Sequence, residues 1–322
     1  MALDPEYLSY PRRRYGMDHD RYAWSMLHDR APVRWPNGAG VALWINVALE
    51  FFPLDQKGQP FKLPGGMVTP YPDLRHYTLR DYGNRVGVYR MLKVFDRLGL
   101  RVSWAVNSRL AERYPSLLRV VVDRGDEVIA YGVDMDKPHY GGQSEEAERG
   151  LVQESLTVLR QATGQSVRGW ISPGKSQSMI TPDLIAAEGV AWFGDWINDD
   201  MPYLFRTRTT SLVALPHSSD LSDRQILIDF RHSERDFADQ VIDQFTFLAR
   251  EARTQGGRVM ALSLHPWVIG QPHRIGALER ALEHITAQPG VWIATGAELM
   301  DTWLAQQDGQ KAPVGGAPAR DT

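Results

Sequence analysis

Short apolar runs alternate with amphipathic stretches along this chain, and that alternation leaves few folds open. VALWINVALEF (41–51), LRVSWAVN (100–107), EVIAYG (127–132), VRGWISP (167–173), VAWFGDW (190–196), LVALPHS (212–218), VMALSLHP (259–266) and VWIATG (291–296) read as strands. The first is a continuous apolar run of the kind a strand buried on both faces carries. Between them, 3.6-residue periodicity predicts helices over 85–98, 114–126, 144–164, 181–189, 237–257, 273–290 and 297–307. Ser144 and Gly164 punctuate the third of these, and Pro182 suits the first turn of the fourth. Residues 52–76, rich in Pro and Gly, read as a long loop, which in a compact domain is usually functional.

Strands that alternate with helices six or seven times specify a parallel sheet covered by helices. No linker divides the pattern. The expected organisation is one α/β domain over 41–305, an extended N-terminal arm over 1–40 and a disordered polar tail over 306–322. A closed or distorted βα barrel fits better than an open sheet, because polar residues cluster just after strands: Glu50, Tyr131, Ser172, Asp195 and His265. In such barrels the strand C-termini share one face, and chemistry sits there.

Composition removes several function classes. The 322 residues include no cysteine, which excludes disulfides, thiolate catalysis and Cys-ligated metals. A net charge of −3 gives no electrostatic footprint for nucleic acid. No apolar run approaches the ~20 residues needed to span a bilayer. The start, MALDPEYLSYPRRRYG, is polar and unlike a signal peptide, so the expected location is the cytoplasm. Arg12-Arg13-Arg14 reads as a solvated arm or a subunit contact. The Tyr- and Arg-rich arm suggests either an interface between copies, making a homo-oligomer, or a wrap on its own barrel.

The strand-end residues carry the chemistry. Glu50 closes an apolar run, where a carboxylate is costly unless paired or functional. His265 ends a strand and is locked by Pro266, which delivers an imidazole to a fixed place. Asp195-Trp196-Ile197-Asn198-Asp199-Asp200 follows a strand directly. One of its carboxylates could orient His265, or the stretch is a solvated turn. GWISPGKSQS (169–178) offers Trp170, Ser172 and Gly174 to a substrate or an oxyanion, and lacks the GxxxxGK[ST] and GxGxxG spacings of nucleotide loops. His139 sits on a loop as a lid, a ligand or a turn residue, and His217 shares that ambiguity. Arg85 opens a helix where it could bind an anion or simply cap.

Five stretches resemble the polysaccharide deacetylase (NodB-homology) superfamily, on the branch around metal-independent allantoinase and the cyclic imide hydrolases. They are RDYGNRVGVYRML, GDEVIAYGVDM, GWISPGKSQSMITPDLIAAEGV, DWINDDMPY and LSLHPWVIGQPHRIGALERALEHI, and together they span about residues 15–305. The resemblance implies a distorted (β/α)7 barrel and hydrolysis of a non-peptide C–N bond. Where the metal-dependent members carry paired aspartates, this chain has Leu49-Glu50-Phe51. Their two histidine ligands fall on Tyr131 and Met135, and the arginine that holds their base falls on Ile171. Their last motif survives in Leu262 to His265, with His265 at the catalytic histidine. Methionine does not ligate a hard or borderline divalent ion and tyrosine seldom does, so the usual Asp-His-His triad cannot form.

The resulting expectation is a hydrolase of a small amide, ureide or cyclic imide. Glu50 and His265 share the acid–base work. Tyr131, Trp170, Ser172, Gly174, Asp195, Trp196, Arg85 and His139 contribute to substrate binding, and no cofactor is needed. The alternatives are a metal-dependent N-acetyl carbohydrate deacetylase with a rearranged site holding one zinc-like ion, and an inactive barrel kept as a binding module.

Overall fold

The apolar run at 41–49 becomes the central strand, β1 (Val41–Leu49), and every residue of it is buried. The computed structural model describes residues 19–57 and 69–308. Eight more strands follow: β2 (Ser103–Val106), β3 (Glu127–Ala130), β4 (Gly169–Trp170), β5 (Trp192–Phe193), β6 (Tyr203–Arg206), β7 (Ser211–Ala214), β8 (Arg258–Leu264) and β9 (Val291–Ile293). Their order is β6-β7-β5-β4-β3-β2-β1-β8, with β9 added on β1. All pairings are parallel except the β6–β7 hairpin. The sheet curls into a half-barrel, the distorted barrel that the alternation of elements predicts.

The two-residue period of β1 divides the core in two. Val41, Leu43, Ile45, Val47 and Leu49 join the cluster formed with the helices. Ala42, Trp44 and Ala48 join the barrel interior with Trp192, Ile171 and Tyr131. Asn46 has the same parity as the interior set, so β1 carries one polar side chain inward. It is 3% exposed.

The helical layer comprises α1 (Leu74–Tyr82), α2 (Val88–Leu98), α3 (Ser108–Arg113), α4 (Pro115–Asp123), α5 (Glu145–Thr163), α6 (Thr181–Ala187), α7 (Glu234–Gln255), α8 (Ile275–Thr286) and α9 (Gly296–Asp308). The Ser144 start and Gly164 stop of α5 fall where the sequence places them. Three differences have local causes. A π-helical turn, Gly83–Gly87, joins α1 to α2, so the helical stretch begins before 85. β4 and β5 are two residues long, because the chain leaves the ladder early to build loops. β6 was not anticipated: YLFR is short, and its Leu204 and Arg206 are exposed.

Of the first forty residues, 19–40 are described. Arg21 forms a bidentate pair with Asp183, Arg30 pairs with Asp199, and the Trp35 indole donates to the Arg258 carbonyl. The Arg12–Arg14 run and the tail beyond 308 lie outside the described residues. No helix is long and apolar enough to cross a membrane among the described residues.

Candidate active site

The strand ends meet as the alternation predicts. β1 and β8 pair in parallel with Val47 opposite Leu264, so Glu50 and His265, both just past their strands, emerge at the same end of the sheet. Trp267 links the two regions. Its indole donates to Glu50 Oε2 at 2.9 Å, and its ring lies 6.4 Å from that of His265. The Arg80 guanidinium covers the Trp267 ring at 3.4 Å and also approaches Phe52 at 4.6 Å. Glu50 therefore ends β1 in a buried cation–aromatic stack.

His265 is held by an aspartate that sequence reasoning missed. Asp223, fully buried, accepts His265 Nδ1–H at 2.7 Å through Oδ1 and the His265 backbone N–H at 2.8 Å through Oδ2. It also accepts the Arg224 and Ile269 amides. A carboxylate on Nδ1 fixes the tautomer and leaves Nε2 as the working nitrogen. Nε2 has no protein partner among the described residues. Asp195 does not orient His265: it accepts the Ser172 amide and hydroxyl, each at 2.7 Å.

The segment after β7 supplies Asp223. It runs from Leu215 through His217 to Arg224, reaches β8 by an isolated parallel bridge between Ser222 and Ser263, and brings its polar side chains against the barrel interior. A cavity of about 190 Å³ opens there. Asn46, Tyr131, Lys175, His217, Arg224 and His265 are among its walls, with Gly174 and several serines completing it. A larger cavity of about 730 Å³ lies under residues 22–33, beside Arg258 at the opposite end of β8, and holds none of the strand-end residues.

The polar groups of the smaller cavity are tuned by burial. Desolvation drives the His217 imidazole well below its usual range, with Lys175 and His265 adding to the effect, so it is neutral at pH 7. Desolvation pushes the Tyr131 phenol up, so it keeps its proton. The Gly174 amide donates to the Tyr131 hydroxyl at 3.3 Å, which leaves that hydroxyl's proton to point elsewhere. Desolvation brings Lys175 down to about 8. The Asn46 amide meets His217 Nε2 at 3.2 Å, while Asn46 Oδ1 and His217 Nδ1 are buried without a partner.

The remaining expected site residues divide. Tyr131 and Gly174 line the cavity with His265. Glu50 stands at the same end of the sheet without lining it. Ser172 is fully buried, donates its hydroxyl to Asp195 and accepts the Trp170 indole, so neither its amide nor its hydroxyl is available to a substrate. Trp170 is core. Trp196 packs edge-on against His19, Tyr22 and Phe205, away from the cavity. Arg85 is exposed on the π turn and pairs loosely with Asp81 at 3.7 Å. His139 is fully buried between Glu148, at 3.2 Å, and the Trp170 ring. The residues missed are Asn46, Lys175, Asp223 and Arg224. The signal for the last two was present in SSDLSDR (218–224), where an acid and a base adjoin in a polar loop after a strand.

The metal of the deacetylases does not fit these residues. Among the described residues no three His, Asp or Glu side chains come together. The two histidines of the cavity share it with the cations of Lys175 and Arg224, which would repel a metal ion.

Comparison with known proteins agrees with the fold. A curated Helicobacter pylori peptidoglycan deacetylase is 24% identical over 71% of this chain and 88% of its own length. The crystal structure of a probable polysaccharide deacetylase from Pseudomonas aeruginosa PAO1 superposes with a TM-score of 0.77 at 24% identity, covering 86% of this chain and 95% of that one. That of PuuE allantoinase superposes equally well, with a TM-score of 0.77 at 23% identity over 92% and 98% of the two chains. The polysaccharide deacetylase family model matches residues 77–191. The chain is thus similar to the polysaccharide deacetylases over residues 77–191 and shares the fold of these solved structures.

Proposed function

We propose that this protein hydrolyses a non-peptide C–N bond in a small amide, ureide or cyclic imide, with His265 as the acid–base group and Asp223 as its orienter. The observation that carries this reading is the Asp223–His265 pair at a strand end, with Nε2 open to a cavity of about 190 Å³. Nε2 takes a proton as the oxygen of water attacks the carbonyl carbon. It then gives that proton to the nitrogen as the C–N bond breaks. The Tyr131 hydroxyl donates to the oxyanion that forms between the two steps. Glu50, which does not line the cavity, supports His265 by holding the Trp267 indole that packs beside it. A strained or polarised ring carbonyl needs less electrophilic help than an acetamide, which suits a site without a three-ligand metal set. The similarity to allantoinase agrees with the reading.

A panel of hydantoins, cyclic imides, linear ureides and N-acetyl sugars, each run with and without exhaustive chelation, tests it. The expected result is turnover of a ring or ureide that chelation leaves intact. His265→Ala and Asp223→Asn should each lower kcat by about 10²- to 10⁴-fold, and Glu50→Gln should lower it as well. Turnover confined to N-acetyl sugars and restored by a divalent ion would replace the reading with a carbohydrate deacetylase.

A further inference from the structure

The cavity wall carries cations and no anions. No aspartate or glutamate is among its lining residues, whereas Lys175 and Arg224 both are. Asp223, the nearest acid in sequence, faces away into its bonds with His265. Lys175 Nζ reaches the Ser218 carbonyl at 3.3 Å and the Ser219 hydroxyl at 3.1 Å, both neutral acceptors, and makes no ion pair among the described residues, with Asp195 and Asp220 attracting it only from beyond contact. The Arg224 guanidinium makes no hydrogen bond or ion pair among the described residues, and its Nε is buried without a partner. The Arg224 charge is close enough to Lys175 to help lower the affinity of the ammonium for its proton. Holding two unpaired cations against one small cavity is costly, and the arrangement suits a ligand that brings the missing charge. Asn46 Oδ1, buried and unpartnered on the same wall, adds an acceptor for an N–H group.

We infer that Arg224 and Lys175 form an anion subsite, and that the substrate is a small amide or ureide bearing a carboxylate that the reaction does not itself create. This deepens the hydrolase reading above and rests on it for the scissile bond. A guanidinium presents paired donors in the plane a carboxylate requires. The volume of about 190 Å³ suits a short N-carbamoyl or N-acyl amino acid or a ring of that size. The acid group is held by the arginine and lysine, the ureide N–H meets Asn46, and the carbonyl is presented to Tyr131 and His265.

The test separates binding from turnover. N-carbamoylglycine and its neutral counterpart N-carbamoylglycinamide are titrated calorimetrically into the wild-type protein, Arg224→Gln, Arg224→Lys and Lys175→Gln, with inorganic sulfate as a competing anion. The acid should bind the wild type about tenfold or more tightly than the amide. Arg224→Gln should abolish that preference, Arg224→Lys should recover part of it, and Lys175→Gln should reduce it. The Arg224 guanidinium has no hydrogen bond or ion pair among the described residues to lose, so its variants should keep close to the wild-type melting temperature. Equal binding of acid and amide by the wild type overturns the inference, as does a preference that survives Arg224→Gln. Sulfate binding as tightly as the acid would also overturn it, by making this a general anion site. Acid-selective binding without hydrolysis of any amide or ureide would instead leave the subsite standing and remove the hydrolase reading.

Discussion

At the scale of single residues, the site is defined by which charges have partners. His265 has Asp223, Glu50 has the Trp267 indole, and Asp195 has Ser172. Arg224 and Lys175 are the exceptions, and the titration of Lys175 gives a pH signature. Burial outweighs the attraction of Asp195 and Asp220, Arg224 adds repulsion, and the ammonium loses its proton near pH 8 instead of 10.5. Below that pH the cavity holds two cations, and above it one. Affinity for a small carboxylate should therefore fall as pH rises through about 8. Bound anion stabilises the ammonium, so the midpoint should move alkaline in the complex. Titrations of N-carbamoylglycine between pH 6.5 and 9.5 check this. The wild type should show the decline and Lys175→Gln should be flat, while a decline of equal size in both would place the titrating group elsewhere. Sequence reasoning reaches Glu50, Tyr131 and His265 because each interrupts or ends an apolar strand. It does not reach Asp223, Arg224 or Lys175, because polar residues in a polar loop carry no pattern that marks which of them turn inward. It assigns Ser172 and His139 outward roles because it cannot see that Asp195 and Glu148 absorb them.

At the scale of elements, the imidazole is aimed by a contact between two backbones. The π turn Gly83–Gly87 lies against the loop after β8 so closely that added carbons have no room. A Cβ on Gly87 would meet the Pro266 carbonyl oxygen at 2.1 Å, and one on Gly83 would meet the Trp267 amide nitrogen at 2.6 Å. Gly270 is as tight against Pro266 and Gly87. Gly83 and Gly87 have ordinary helical dihedrals, so their requirement is space and not conformational freedom. π turns recur at functional sites because the extra residue re-aims what packs on them. Gly87→Ala should therefore push the Pro266–Trp267 segment outward, taking His265 and the Glu50 partner with it. Overpacking of this kind costs about 1–3 kcal/mol, and kcat should fall by about tenfold or more. Thermal unfolding and steady-state kinetics together check it; a variant that is destabilised but fully active would show that the loop does not aim the imidazole. Most of the strands and helices are legible because β1, β8, α5 and α7 are long and strongly patterned. The π turn and β6 are not, since five residues of GNRVG and four of YLFR are too few for either period to emerge.

At the scale of the whole molecule, polarity is buried at both ends of the half-barrel, and the two ends serve different purposes. The C-terminal end holds the cavity. At the other end Glu127 opens β3 and ties it to the C-terminal helix: it accepts the Gly296 amide at 2.8 Å and the Ala297 amide at 3.0 Å, at the positive end of α9, and also the Ser103 hydroxyl. Burial outweighs these three donors, with Glu298 adding repulsion, and pushes the Glu127 carboxyl up to about 7. A raised carboxyl binds its proton more tightly folded than unfolded. Its stabilising contribution is therefore complete below its unfolded value of about 4.5 and is lost as pH rises through about 7. The loss is at most about 3 kcal/mol, and less to the extent that the partly exposed side chain is solvated. His76 and His217, both held neutral by burial, act in the opposite direction and destabilise the fold in acid, so the raw pH profile of the wild type mixes both signs. The difference between Glu127→Gln and wild type isolates one of them. Measured by chemical denaturation from pH 4.5 to 8, the variant should be the less stable at the acid end, where it loses an acceptor for one of the α9 amides, and should gain on the wild type steadily as pH rises. A difference that stays constant across that range would mean that Glu127 is ionised throughout, with its charge satisfied by the helix terminus it caps.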